Sequence, residues 1–499
     1  MGDKKYILTF PQQNIWLMEK YNEGTAINSI TGLINISKDF NSELCEKAIN
    51  YVLKNNDVMR TRIIENSGLP LQYFEEYKYN NIEIVDMTSY SQEEISEYID
   101  AFALHSLFFD SNQFYEFKIL KYKNNKGCIL LKIHHIISDA WSCSKLAMQL
   151  IDYIESNGNI SEDNKNSYVD FINSQEEYLK SDKYVADEAF WKEYLSDINK
   201  TISMKNHNRI VSHNANRYSV SLDKYLNDRI INYCNVNKIS VYSLFLAVIS
   251  AYLFRTTNQT DFVIGTPVLN RANFKEKNTL GMFVSTIPLR VKIDENETIL
   301  DLAKSISKNT MTIFRHQRYP YNKMLDIVRD TTANKDNLYN ISFSYQNARI
   351  NLNPEKYSTL WTFNKQLNDE LQIHVTDMDN TGILRVNYDY LEDLFSENEI
   401  VYIHKRFLRI LSDVVNYNYK ILDIDILCEE EKIQIREYNN TDAKYSLNET
   451  VIDLLEEKVK YFPNDVALIY ENQKISYKDF YNMVCNFAFK LLNVSDEKI

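Results

Sequence analysis

Two adjacent histidines with an aspartate four residues on have the types and spacing for acid–base chemistry. They lie in the run Lys132-Ile133-His134-His135-Ile136-Ile137-Ser138-Asp139-Ala140-Trp141-Ser142. A neutral imidazole, with an unperturbed pKa of about 6.5, can take a proton from an attacking group near neutrality. Other readings of the same residues stand beside this one. Neighbouring strand residues point to opposite faces, so a metal shared by His134 and His135 is not expected. A pair of hydrogen-bonded core histidines remains open, as does an Asp139 that caps a helix, and capping does not exclude an acid–base role for His135.

The flanking residues state what must position this run. Upstream, Cys128 to Ile133 reads as a strand, with Ile129, Leu131 and Ile133 on one face and Cys128, Leu130 and Lys132 on the other. His135 continues the first face and His134 the second. Downstream, Ala147, Leu150, Ile151 and Ile154 recur at helical spacing, and Ser138 or Asp139 suits the N-cap. A histidine leaving a sheet at that junction sits beside the free amides and partial positive charge of a helix N-terminus, which suit a developing oxyanion.

The whole chain sets the bounds. Its 499 residues allow two or three domains, and 44% hydrophobic with 13% aromatic content is a globular mixture. A net charge of -13 argues against a nucleic-acid footprint or a basic membrane surface. The six cysteines are far apart, with no CxxC pair and no secretory leader, so a reducing cytoplasm is the expected setting. The longest apolar segment, Val241 to Phe254, is too short to span a bilayer and reads as a buried helix capped near Ser240. The nine glycines never cluster, so neither a P-loop nor a dinucleotide fingerprint is present.

Strand-like and helix-like patterns alternate along the chain, as in an α/β protein. Ser42 to Leu53 reads as an amphipathic helix followed by a turn at Asn55-Asn56-Asp57. Asn157 to Asn166 is a polar loop, Gln175 to Tyr194 a charged helical connector, and Asp197 to Ser212 a second linker.

The histidine run resembles the HHxxxDG signature of nonribosomal peptide synthetase condensation domains, which have the chloramphenicol acetyltransferase-like fold. Further segments resemble that family in order: Thr9 to Trp16 its first motif, Met59-Arg60-Thr61 the LRT part of the second, and Tyr168-Val169-Asp170-Phe171 YxDFA. Gly265-Thr266-Pro267-Val268 with Arg271, and Gly281 to Thr286 with Arg290, match two segments of the second half. His316 to Tyr321 resembles HQDYPFE, and Phe343 to Asn347 the strand after it. Together these span residues 6 to 430. Segments from Tyr438, through Val451 to Lys460 and Phe462 to Leu468, to Ile475-Phe480 look like the opening of an adenylation domain. Helices and strands without the rest of that domain should pack weakly.

The resemblance implies two chloramphenicol acetyltransferase-like lobes in a V-shaped pseudo-dimer with a central tunnel: an N-lobe over 1–177 and a C-lobe over 178–430. A linker over 431–447 and an adenylation fragment over 448–499 would follow. The implied reaction is amide-bond formation, in which the amine of an aminoacyl-phosphopantetheinyl carrier protein attacks an acyl thioester. His135 would be catalytic; His134, Asp139 and Arg290 would be structural, with Asp139 paired to Arg290; and the Ala140 amide would serve the oxyanion. Alanine replaces the signature's glycine at 140 without loss of that amide. The second motif has Asn55, Asn56 and Asp57 where RHE is usual, which bears on any ion pair its arginine would make. No cofactor or metal bound by the chain is implied. Carrier proteins would present the phosphopantetheine arms as donor and acceptor, with acyl-CoA as a further donor and an adenylation domain as partner. Only eight residues precede Thr9, so a docking helix is not expected and a starter domain that attaches a fatty acyl group is. The alternatives are an ordinary peptidyl or aminoacyl condensation domain and a non-catalytic recruitment platform, the last disfavoured by the retained second histidine.

Overall fold

The computed structural model describes residues 4–107, 113–160, 166–198, 201–205, 212–331, 337–346, 352–377, 381–417, 419–444 and 448–493. The chain divides into two compact units, Met1–Cys428 and Glu429–Ile499. The first is a mixed α/β fold on two main sheets. The five-stranded sheet runs Tyr357–Thr362, Ser29–Ile36, Lys126–His134, Tyr115–Tyr122, Glu83–Asp86, antiparallel except at its last pair. The six-stranded sheet runs Ser285–Lys292, Asp261–Val268, Ile341–Gln346, Leu371–Thr376, Arg385–Leu391, Ala215–Ser221. Ile341–Gln346 is parallel to both its neighbours, and the other pairs are antiparallel.

The alternation read around Cys128 to Ile133 becomes the strand Lys126–His134 with two different cores on its faces. Ile129, Leu131 and Ile133 pack with Cys45, Ile49 and Val52 of the helix Ser42–Asn55 and with Leu146 and Leu150 of the helix Ala140–Glu155. Cys128 and Leu130 pack with Ile95 and Phe102 of the helix Gln92–Leu104. Lys132 lies on this second face, fully buried, its Nζ donating to the carbonyls of Ala103 (3.2 Å) and His105 at that helix's C-terminus. Burial pushes its ammonium down to about 8.

The apolar segment 241–254 is the helix Val241–Thr257, capped by Ser240, with every side chain from Ser243 to Phe254 buried. It packs on the apolar face of the six-stranded sheet beside the helices Ile299–Phe314 and Glu397–Val414. Each fully buried Leu or Phe there contributes about 1.5–3 kcal/mol. Among the described residues no single helix is long and apolar enough to cross a membrane.

Three details differ from the sequence reading. The connector Gln175–Tyr194 is two helices, Tyr168–Leu179 and Asp182–Tyr194, because Ser181 caps the second by accepting from Tyr184 N–H. The first of them runs across the boundary expected at 177. The linker expected over 431–447 begins as the helix Glu429–Tyr438, and residues 445–447 lie outside the described residues. So do Asn347 and the middles of the two polar loops.

In the second unit, the helices Val451–Tyr461 and Tyr477–Leu492 accompany a hairpin of Val466–Tyr470 and Gln473–Ser476. Neither helix buries a side chain, and Ile469, Tyr470, Phe487 and Phe489 are exposed, which is the weak packing expected of this segment.

Candidate active site

His134 closes its strand and His135 opens a short 3-10 turn, so consecutive residues enter different surroundings. His134 is buried. Its Nδ1 accepts from the Ile136 N–H at 3.0 Å and so carries no proton, which leaves Nε2–H to donate to Glu19 Oε2 at 3.2 Å. Glu19 Oε2 also accepts from Asn28 Nδ2 at 2.7 Å, and the Asn28 carbonyl accepts the His135 backbone N–H at 2.7 Å. Glu19 thus holds the first histidine by its ring and the second through Asn28. Glu19 and Asn28 escaped the sequence reading; an acid inside the amphipathic helix Phe10–Tyr21 was the only signal.

His135 has the opposite tautomer. Its Nδ1 faces the Ser138 carbonyl at 3.1 Å and must donate, so Nε2 carries the lone pair, and no described residue is bonded to it. The ring is half-buried. Burial, with His134 beside it, pushes its pKa down to about 4 against the opposing pull of Asp139 and the Ser138 carbonyl, so it is neutral near pH 7.

Asp139 is the N-cap of Ala140–Glu155, accepting from Ser142 N–H at 2.8 Å. Its expected ion pair with Arg290 is not formed. The partner is Arg271, whose Nη1 and Nη2 meet the two carboxylate oxygens at 2.8 and 3.1 Å, both side chains being buried. Arg290 instead grips Asp261 at 2.6 and 2.7 Å and the carbonyls of Tyr194 and Ser196. The physical reason is register: Arg290 lies opposite Val263, within diagonal reach of Asp261 on the same neighbouring strand. Arg271 follows that strand in the connection that folds onto Asp139. Phe283 and Val284 N–H also donate to Asp139 Oδ2, at 2.9 and 3.1 Å. Burial acts to raise the Asp139 pKa, but the Arg271 charge and these donors outweigh it and hold it low.

Around this pair, the connection between Val268 and Ser285 docks on the helix Ala140–Glu155. Ser142 Oγ donates to Gly281 O at 2.8 Å and accepts from Gly281 N–H at 3.0 Å, and Tyr168 Oη donates to Met282 O at 2.6 Å. Gly281 has φ +152°, and a Cβ there would stand 2.3 Å from the Tyr168 ring. The second motif's departure is also accounted for. Arg60 donates to the carbonyls of Leu53, Lys54, Asn56 and Glu75 and needs no acid, while Asp57 accepts from Tyr168 N–H and Ser167 Oγ. Ala140 opens its helix, exposed, with no described acceptor on its N–H.

The family described as Condensation domain matches residues 3–436. Surfactin synthase subunit 1 of Bacillus subtilis (strain 168) is 31% identical over 97% of this chain and 14% of its own length. Gramicidin S synthase 2 of Brevibacillus brevis is 25% identical over 98% of this chain and 11% of its own. The chain therefore spans less than a fifth of these relatives. Among solved structures, the first condensation domain of the calcium-dependent antibiotic synthetase superposes with TM-score 0.74 at 16% identity, covering 86% of this chain and 100% of that one. A rhizomide synthetase starter condensation domain in complex with C8-CoA and Leu-SNAC gives 0.76 at 18%, covering 85% and 98%. The fold is shared with both. The chain belongs to the condensation-domain family.

Proposed function

We propose that this chain joins an acyl thioester to the amine of an aminoacyl-phosphopantetheinyl carrier protein, with His135 as the catalytic residue. The carrying observation is the unequal hydrogen bonding of the two histidines: His134 spends both ring nitrogens on Glu19 and Ile136, while His135 keeps a lone pair on Nε2 of a half-buried ring. The amine attacks the thioester carbonyl, the C–N bond forms, the C–S bond breaks, and the nitrogen's proton passes through Nε2 to the leaving thiolate. The Ala140 N–H, at the positive end of a 16-residue helix, faces the developing oxyanion. His134, Asp139 and Arg271 hold the loop.

In this reading the two sheets are the cores of the two lobes, with the tunnel between them, donor and acceptor arms entering from opposite sides, and residues 448–499 opening an adenylation domain. The six cysteines, spread along the chain without a CxxC pair, fit a cytoplasmic setting. The donor is a fatty acyl group on CoA or a carrier, as in a starter domain. The relative named subunit 1 of its synthase and the fold of a starter domain that holds C8-CoA support this. Amide product from acyl-CoA or acyl-carrier donors is expected, and turnover only with a peptidyl-carrier donor removes the starter assignment. His135→Ala should lower amide formation by about 100-fold or more, and undiminished turnover would refute the catalytic role.

A further inference from the structure

The face of the six-stranded sheet opposite its apolar core is polar. Its register lays Pro288, Gly265, Ser342, Gln372, Asp389 and Arg217 in one row across the strands, and Thr286, Pro267, Ser344, His374, Asn387 and Ser219 in the next. Most of these groups satisfy one another. Arg217 grips Asp389 at 2.6 and 2.7 Å, His374 bridges Asp389 (3.2 Å) and Ser344 (2.7 Å), and Ser342 and Gln372 donate to Asp369 Oδ2, both at 2.9 Å.

Asp369 is the exception. It is half-buried, both donors bind the same oxygen, and no described residue donates to Oδ1. Two aromatic rings lie near it, because its donor Ser342 pairs across the sheet with Gly265, on which Tyr339 packs. Tyr321 and Tyr339 stand with ring centroids 5.7 Å apart, and the Asp369 charge acts on both phenols. Tyr339 lies on Gly265, where a Cβ would stand 2.6 Å from its ring, and its hydroxyl is approached by that of Thr286. Thr286 is two residues from Val284, whose N–H holds Asp139, about 7 Å along the chain at strand rise. A carboxylate oxygen without a donor beside two phenol rings is the chemistry that receives an ammonium group.

The geometry points to a subsite, formed by Asp369, Tyr321 and Tyr339, that takes the amine-ended side chain of the acceptor amino acid. This rests on the amide-forming reading above. Asp389 is already neutralised by Arg217, so the charge offered to a ligand is that of Asp369. Burial raises the Asp369 pKa to about 6 against the pull of Gln372, Ser342 and His374, with Glu370 acting in the same direction as burial. The other charged groups facing the site are Asp389, Arg217 and, near Tyr321, Arg329. The preference for an amine is therefore present above about pH 6 and fades below it, as Asp369 takes a proton.

The test is direct binding to the full chain, by titration calorimetry, of stable amide analogues of pantetheinyl ornithine and pantetheinyl norleucine, whose side chains match in length. The ornithine analogue is expected to bind about tenfold or more tighter at about pH 8, with the difference lost in Asp369→Asn and reduced at about pH 5. Norleucine-analogue binding by Asp369→Asn reports that the variant is folded; if it binds neither probe, the pH comparison in the unaltered chain decides. Equal affinities in the unaltered chain, or a difference that survives both Asp369→Asn and low pH, overturn the subsite. Loss of amide formation with every acceptor would instead count against the function proposed above, since binding does not depend on turnover.

Discussion

At the residue scale, the two arginines separate a buried pair from a half-exposed one. Arg271→Ala strands the Asp139 carboxylate in the interior together with its helix start, and should cost about 3–5 kcal/mol in denaturant unfolding. Arg290→Ala leaves Asp261, 39% exposed, free to hydrate and should cost about 1–2 kcal/mol. A larger loss from Arg290→Ala would reverse this ranking. The titration of His135 gives a second expectation. Because its neutral form is the one that accepts a proton and burial holds its pKa at about 4, activity should persist below pH 6.5 and fall as pH drops toward about 4. The stability sign runs the same way. The unfolded chain binds the His135 proton at a higher pH than the folded one, so this residue costs stability progressively between about pH 6.5 and about pH 4. A pH–rate profile with its acid limb near 6.5 would mean that the ring is hydrated in the working enzyme. The candidate base and the capping role of Asp139 were legible in the sequence, since both follow from a strand-to-helix junction. The partner of Asp139 was not, because Arg271 and Arg290 both lie in family-like segments and only the path of the connection between the strands selects one.

At the element scale, the connection through Gly281 is what the helix Ala140–Glu155 leans on. Gly281→Ala drives a methyl into the Tyr168 ring at a φ that side chains rarely adopt, and it displaces the paired bonds to Ser142. A loss of about 2–4 kcal/mol is expected, with a drop in amide formation even where the protein remains folded, because Asp139 takes two of its donors from Phe283 and Val284. Unchanged unfolding in Gly281→Ala would show that the connection yields freely. Periodicity exposed the elements themselves: Ile129, Leu131 and Ile133 alternate as a strand, and the apolar run 241–254 is a buried helix. It could not reveal that Tyr357–Thr362 pairs with Ser29–Ile36, more than 300 residues earlier, with Trp361 lying over Gly32. Such pairing depends on long-range geometry that no local pattern records.

At the scale of the whole molecule, the contrast lies between a first unit with large closed cores and a second whose helices bury nothing. Residues 1–428 hold every buried residue of the main cores, while Ile469, Tyr470, Phe487 and Phe489 in the second unit remain open to water. Exposed apolar surface on that scale binds hydrophobic dyes and favours association. A chain shortened to residues 1–438 keeps the whole first unit and the helix Glu429–Tyr438. Its main unfolding transition should stay within about 2 °C of the full chain's, since no core residue is removed. Anilinonaphthalene sulfonate fluorescence at equal concentration should fall, because the removed segment carries the open apolar side chains. A midpoint lowered by about 5 °C or more would mean that the first unit draws stability from residues 439–499. Unchanged dye binding would place the responsive surface on the first unit instead, where Tyr21, Phe274 and Leu360 are exposed.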